Sequence, residues 1–155
     1  MTLDSKDRLI LTLLQRDVTL PLQTIAERVG LSQTPCWRRI QKLEQQGFIR
    51  KKVALLDREK LNLGVTVFVA VKTGSHSRNW LSQFKKVVAD IPEIIEAHRM
   101  SGDIDYLLQV VVTDINSYDR IYNQLIEKLE FSDISSAFAM ETLKTTTELP
   151  TDYLS

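Results

Sequence analysis

Residues 21–49 read PLQTIAERVGLSQTPCWRRIQKLEQQGFI, and this stretch decides the architecture of the front half of the chain. Pro21 stands where a helix begins, and Leu22, Ile25, Ala26 and Val29 lay one apolar stripe along that helix. Gly30 closes it, because glycine enters the left-handed C-terminal position without strain. Leu31 and Ser32 make a short turn. Thr34-Pro35 then marks a new start, a capping hydroxyl followed by proline at the first helical position. Cys36, Ile40 and Leu43 recur at i, i+4, i+7, and Gly47 ends the segment. A helix over 22–29, a turn of about four residues and a helix over 35–46 have the spacing of a helix-turn-helix.

The second helix carries the chemistry. With its apolar stripe assigned to the core, Gln33, Thr34, Trp37, Arg38, Arg39 and Lys42 are left to face outward. Arg38 and Lys42 stand at i, i+4, and Arg39 and Lys42 at i, i+3. Cations with hydrogen-bonding residues at the N-terminal end suit a helix that reads base edges while its flank grips phosphate. A solvated basic face explains most charge runs. Here the run coincides with the turn and with a basic segment beyond, Arg50, Lys51 and Lys52, in a stretch Phe48–Leu55 that reads as a strand or hairpin, the wing. Upstream, Asp4 is a candidate N-cap, and Leu9, Ile10, Leu13 and Leu14 predict a first helix up to Asp17.

Beyond a polar linker at 57–63 the periodicity changes. Val65–Val71 is a β-branched, almost continuously apolar strand, and Trp80–Val88 an amphipathic helix ending before Pro92. Ile94–Met100 is a mixed strand, Ser101-Gly102-Asp103 a turn, and Tyr106–Val112 a second apolar strand. Ile115 to Leu129 outlines a helix, and Ile134–Leu143 a last strand. The order βαββαβ is the ferredoxin-like arrangement. The fold class expected is therefore α+β, a winged helix-turn-helix domain over 1–62 and a ferredoxin-like domain over 63–155. A sheet of this kind has helices on one face only, so strands this apolar predict dimerisation through the other.

Composition narrows the function classes. The 155 residues carry 20 Lys+Arg and 20 Asp+Glu, yet 1–60 hold twelve basic against seven acidic residues and 61–155 eight against thirteen. A basic front half joined to an acidic back half fits a nucleic-acid module fused to another domain. One cysteine excludes a disulfide framework within the chain, and two histidines, His76 and His98, argue against a catalytic metal centre. No apolar run approaches the ~20 residues of a membrane span, and the charged start is unlike a signal peptide, so a cytoplasmic protein is expected. A small enzyme would have to use Asp103 and Asp105 as an acid–base pair or Cys36 as nucleophile. Cys36 lies on an apolar stripe with no histidine near it in sequence, and His98 in a strand reads as a hydrogen-bonded or interface histidine. Neither catalytic residue nor metal ligand is assigned. An architectural DNA-compacting protein without a ligand is a third reading.

Together the residues resemble the Lrp/AsnC family of transcriptional regulators. The resemblance spans the chain and rests on Leu22-x-x-Ile25-Ala26-x-x-Val29-Gly30-Leu31-Ser32, on Thr34-Pro35-Cys36-x-Arg38-Arg39-Ile40-x-x-Leu43-Glu44-x-x-Gly47-Phe48-Ile49, on Ser101-Gly102-Asp103-x-Asp105-Tyr106-Leu107-Leu108 and on Met140-Glu141-x-x-Lys144. It implies an N-terminal domain on double-stranded DNA and a C-terminal effector domain that forms dimers and often octamers or other multiples. It implies no cofactor, but an amino-acid effector held between subunits at Ser101, Gly102, Asp103, Asp105 and Tyr106, and nucleoid association in a bacterial cytoplasm. The turn's chemistry agrees: Gly102 exposes its N–H to a carboxylate, and Asp103 and Asp105 offer acceptors to an ammonium group. The same residues also make an ordinary solvated turn, and it is the resemblance that favours the ligand. Ser135, Ser136 and Ala137 are candidates for a second wall, smaller than the residues of some relatives. Trp37 and Phe138-Ala139-Met140-Glu141 resemble a cysteine-responsive branch, which makes cysteine or another small amino acid the first effector expected.

Overall fold

The computed structural model describes residues 3–153. The chain forms two compact units. One comprises the residues through Leu55 together with the segment from Leu143, and the other is Leu56–Thr142.

The first unit holds three helices, α1 (Ser5–Arg16), α2 (Leu22–Val29) and α3 (Gln33–Gln45). Asp4 caps α1 through a reciprocal box: its carboxylate accepts from the Asp7 amide at 2.9 Å, and the Asp7 carboxylate accepts from the Asp4 amide at 3.3 Å. Gly30 takes φ 68° at the end of α2, and its N–H and that of Leu31 close the last turn on Glu27 and Ala26. α3 starts earlier than its sequence suggests. Ser32 is the N-cap, and Pro35 is the third helical residue, still within the first turn, where no backbone N–H has a helical partner to lose. Ile10, Ile25, Val29, Cys36, Ile40 and Leu43 form the shared core.

The expected wing is absent as a strand. Residues 48–56 form no paired strand, and β pairing begins only at Val65. A different segment packs on this unit instead. Beyond the last strand the chain comes back to α1, where the Gln15 side-chain amide donates to the Leu149 carbonyl at 2.8 Å and its oxygen accepts from the Leu149 N–H at 2.9 Å. Arg16 donates to Glu148 at 2.7 Å, and the Thr12 and Thr151 hydroxyls lie 3.1 Å apart. The return segment, α1 and residues 48–55 enclose a cleft of about 790 Å³ with Leu11, Leu14, Phe48 and Leu149 in its walls. The expected boundary left 143–155 with the second domain. The correction has a simple cause: the last strand ends at Phe138, five residues before Leu143, so the chain beyond it is free to bond elsewhere.

The second unit is a four-stranded antiparallel sheet, β1 (Val65–Lys72), β2 (Ile94–Arg99), β3 (Tyr106–Val112) and β4 (Asp133–Phe138), in the order β2-β3-β1-β4. Helices α4 (Arg78–Asp90) and α5 (Ile115–Lys128) complete the βαββαβ order. Strand alternation sorts the sheet into two faces. Val67, Val69, Val71, Leu108, Val110 and Val112 meet Phe84, Val87, Ile121 and Leu125 in the core. Each such side chain, fully buried, contributes about 1.5–3 kcal/mol. Thr66, Phe68, Ala70, Leu107 and Gln109 occupy the alternate positions, the face without helices, and Phe68 remains 38% exposed.

Candidate functional site

The outer face of α3 is built by the packing of its inner one. At 3.6 residues per turn Arg38 lies about 160° from the buried Cys36, so it points away from the core. Gln33, Thr34, Trp37, Arg38 and Lys42 are all exposed, as expected. Arg39 is not among them. It falls only about 40° from the buried Leu43 and about 60° from Cys36, on the flank toward α1. There its guanidinium donates to Asp4 at 2.6 Å and to Asp7 at 2.7 Å. The Asp7 side chain is 9% exposed, and these bonds hold the guanidinium more firmly protonated than usual. Arg39 locks α3 to the start of α1, a role that a basic run in sequence does not disclose.

Two residues were missed by reading the run of charges. Gln41 and Gln45 flank Thr34 on the outer face, each about 20° from it; Gln45 is exposed, and Gln41 is half-buried and donates to Glu44 at 3.3 Å. Counting 100° per residue from the apolar stripe would have found both. In the following segment Arg50, Lys51 and Lys52 are all exposed, and Lys52 also pairs with Glu44 at 2.5 Å. Cys36 is fully buried, and burial pushes its thiol above the ordinary range, which makes it a poor nucleophile.

At the other candidate site, Gly102 takes φ 116°, a conformation that L side chains rarely adopt, with open space around it. Ser101, Gly102 and Asp103 are exposed. Asp105 and Tyr106 are engaged elsewhere. The Asp105 carboxylate accepts from the Thr73 N–H at 2.9 Å, and its backbone bonds Val71 and Met100, so it ties the turn to the end of β1. Tyr106 is 8% exposed, with its ring centroid 4.5 Å from that of Phe84.

Ser135, Ser136 and Ala137 do not form one wall. Ser136 pairs with Val69 and bonds the Tyr118 hydroxyl of α5 on the helix side, where burial pushes the tyrosine's acidity down. Ser135 and Ala137 pair with Ala70 and Phe68 on the opposite face. The period of two in a strand makes this split unavoidable. A polar hollow of about 340 Å³ near Glu93, Ser117 and Arg120 lies at the far end of β3 from Gly102. Neither that hollow nor the cleft on α1 is lined by residues 101–106. Among the described residues no group of three or more His, Cys, Asp and Glu could hold a metal ion, and no helix is long and apolar enough to cross a membrane.

Two family models match the chain, the AsnC-type helix-turn-helix domain over residues 3–44 and the Lrp/AsnC ligand binding domain over 66–149. A DNA-binding transcriptional activator of Escherichia coli, DecR, is 49% identical over 149 residues, 96% of this chain and 98% of its own length. The crystal structure of an AsnC family transcriptional regulator from Agrobacterium tumefaciens superposes with a TM-score of 0.94 at 58% identity, covering 98% of this chain and 99% of its own. A transcriptional regulator from Neisseria meningitidis, solved in complex with L-Met, does so with 0.93 at 35% identity and 99% coverage of both.

Proposed function

The chain belongs to the Lrp/AsnC family of transcriptional regulators, and from that premise we propose that its helical unit binds double-stranded DNA through α3 while the sheet unit, Leu56–Thr142, binds a small amino acid and assembles the protein. The observation that carries the DNA reading is the outer face of α3, where Gln33, Thr34, Trp37, Arg38 and Lys42 are exposed together after the turn. Arg38 contacts base edges, and Arg50 and Lys51 hold flanking phosphates. Arg38→Ala is expected to cost about 1–3 kcal/mol of DNA affinity and to relax base preference. Lys51→Ala is expected to weaken all sequences alike and flatten the salt dependence. Gel shifts in which both variants match wild type would exclude this face.

The effector reading is carried by the exposed turn at Ser101–Asp103, where a backbone N–H suits a carboxylate and Asp103 an ammonium group. A single subunit leaves this turn open, which is consistent with a pocket completed by a second subunit. The methionine complex of the Neisseria relative supports an amino-acid ligand. Cysteine and methionine are the first to be tried, by calorimetry. Asp103→Ala is expected to lose a charge-assisted bond, roughly a tenfold or greater loss of affinity. Absence of binding by any of the twenty amino acids at millimolar concentration would exclude the reading. The helix-free sheet face, with Phe68 exposed, supports dimers that build higher multiples, the octamer among them. The DNA partner implies work on the nucleoid in the cytoplasm. Sedimentation with and without ligand tests the assembly, since a ligand shifts only an equilibrium whose two states it binds unequally.

A further inference from the structure

Apart from Pro35 in its first turn, which is exposed, every other apolar side chain of α3 is spent on the core. Cys36, Ile40 and Leu43 are all under a tenth exposed, whereas Trp37 is 51% exposed. Among the described residues its indole stacks on no other ring, unlike Trp80, which is packed against Phe84 and Phe131. A large aromatic surface is thus held in water on a helix whose other outer positions, Pro35 apart, are polar or cationic. One turn from Trp37 on the inner side, Ile40 is buried in the core; the neighbours one turn away on the outer side are Gln33, Thr34 and Gln41, and Arg38 is next in sequence. Those are partners for base edges and phosphate. They are not the apolar rim that would surround a tryptophan seated in a protein interface. Trp37 is also the fifth residue of α3, in the half of a recognition helix that reaches base edges.

Base pairs in the major groove present donors, acceptors and one apolar group, the C5-methyl of thymine. We propose that the Trp37 indole reads a thymine C5-methyl in the bound DNA, which makes it the apolar specificity determinant of α3. The inference rests on the DNA-binding role given above and adds the chemistry of one base. Arg38 lies about 100° around the helix from Trp37, so the two side chains address different base-pair positions. Trp37 recognises by packing what the polar residues around it cannot distinguish.

The test uses the full-length protein and a duplex that it selects itself from a random-sequence pool. Each thymine of the selected site is replaced singly by deoxyuridine, which removes only the methyl group. Wild type is expected to lose about fourfold at one or two positions, the loss of one buried methyl. Trp37→Ala and Trp37→Gln are expected to bind more weakly and to be indifferent to deoxyuridine at those positions. Arg38→Ala is expected to bind more weakly yet keep the deoxyuridine penalty. A penalty that survives in both Trp37 variants overturns the proposal, and so does a wild-type site in which no thymine carries one. A pool from which no sequence is selected overturns the DNA-binding reading itself, a result distinct from either.

Discussion

Arg38 and Arg39 are adjacent, identical in type and separated in role by 100° of helix. Arg39→Ala would leave the Asp7 carboxylate, 9% exposed, without its guanidinium. The expected loss is about 1–3 kcal/mol of stability, seen as a lower midpoint in urea denaturation. Arg38→Ala should stay within about 0.5 kcal/mol of wild type in the same assay, as an exposed substitution does. An Arg39→Ala variant of unchanged stability would return that residue to the DNA-facing set. Cys36 gives a second residue-level expectation. Burial raises its thiol, so the contribution of the neutral form is complete below the ordinary thiol range and is lost as pH rises through the raised value. A thiol reagent at neutral pH should label Cys36 only when urea unfolds the unit. Rapid labelling of the folded protein would contradict the burial.

Among the elements, α1 and the segment that returns to it carry an expectation for acid. Hydrogen bonding to Arg16 holds the Glu148 carboxyl below the usual carboxylate range, and both groups are exposed. A carboxylate depressed in the folded state stabilises above its unfolded value, near 4.3, and ceases to do so as pH falls through the depressed one. The Leu149 amide, bonded to Gln15, should therefore lose hydrogen-exchange protection in acid before the amides of β1 and β3. Equal loss at all of them would show that the segment has no separate transition. The turn before β3 carries another expectation. Asp105→Ala removes the acceptor of the Thr73 N–H in a residue 6% exposed, a cost of about 1–3 kcal/mol, measured by thermal unfolding. Weak ligand binding by that variant would reflect a displaced turn, whereas Asp103→Ala alters the exposed carboxylate alone.

These elements differ in how far the sequence discloses them. Leu22, Ile25, Ala26 and Val29, or Val67, Val69 and Val71, declare their elements because burial imposes a period on them. The family motifs added the turn at Ser101–Asp103 as a candidate for the ligand. Asp105 looks like a ligand carboxylate in sequence because its partner, the Thr73 amide, is thirty-two residues away. The return segment is hidden for a related reason. Glu148, Leu149 and Thr151 bond individually to one turn of α1, and isolated long-range bonds leave no periodic trace. The wing expected over 48–55 failed because three basic residues and a β-branched neighbour suggest a strand, but a strand needs a pairing partner that the described residues do not supply.

At the scale of the whole molecule, the chain crosses between its units twice, at Leu55/Leu56 and at Thr142/Leu143. The sheet unit, Leu56–Thr142, is thus an insertion between the two parts of the helical unit. Regulators of this family invite grafting, in which the sensor of one is joined to the reader of another. A single junction near residue 62 would deliver a foreign return segment to the α1 of this chain, without the pairing of Gln15 to Leu149 or of Arg16 to Glu148. A chimera cut at both crossings, so that the residues from Leu143 travel with the three helices, should melt at a higher temperature than one cut once. The unit of inheritance for the three helices is then two stretches of sequence, and a hybrid that keeps only the first leaves behind the segment that bonds α1.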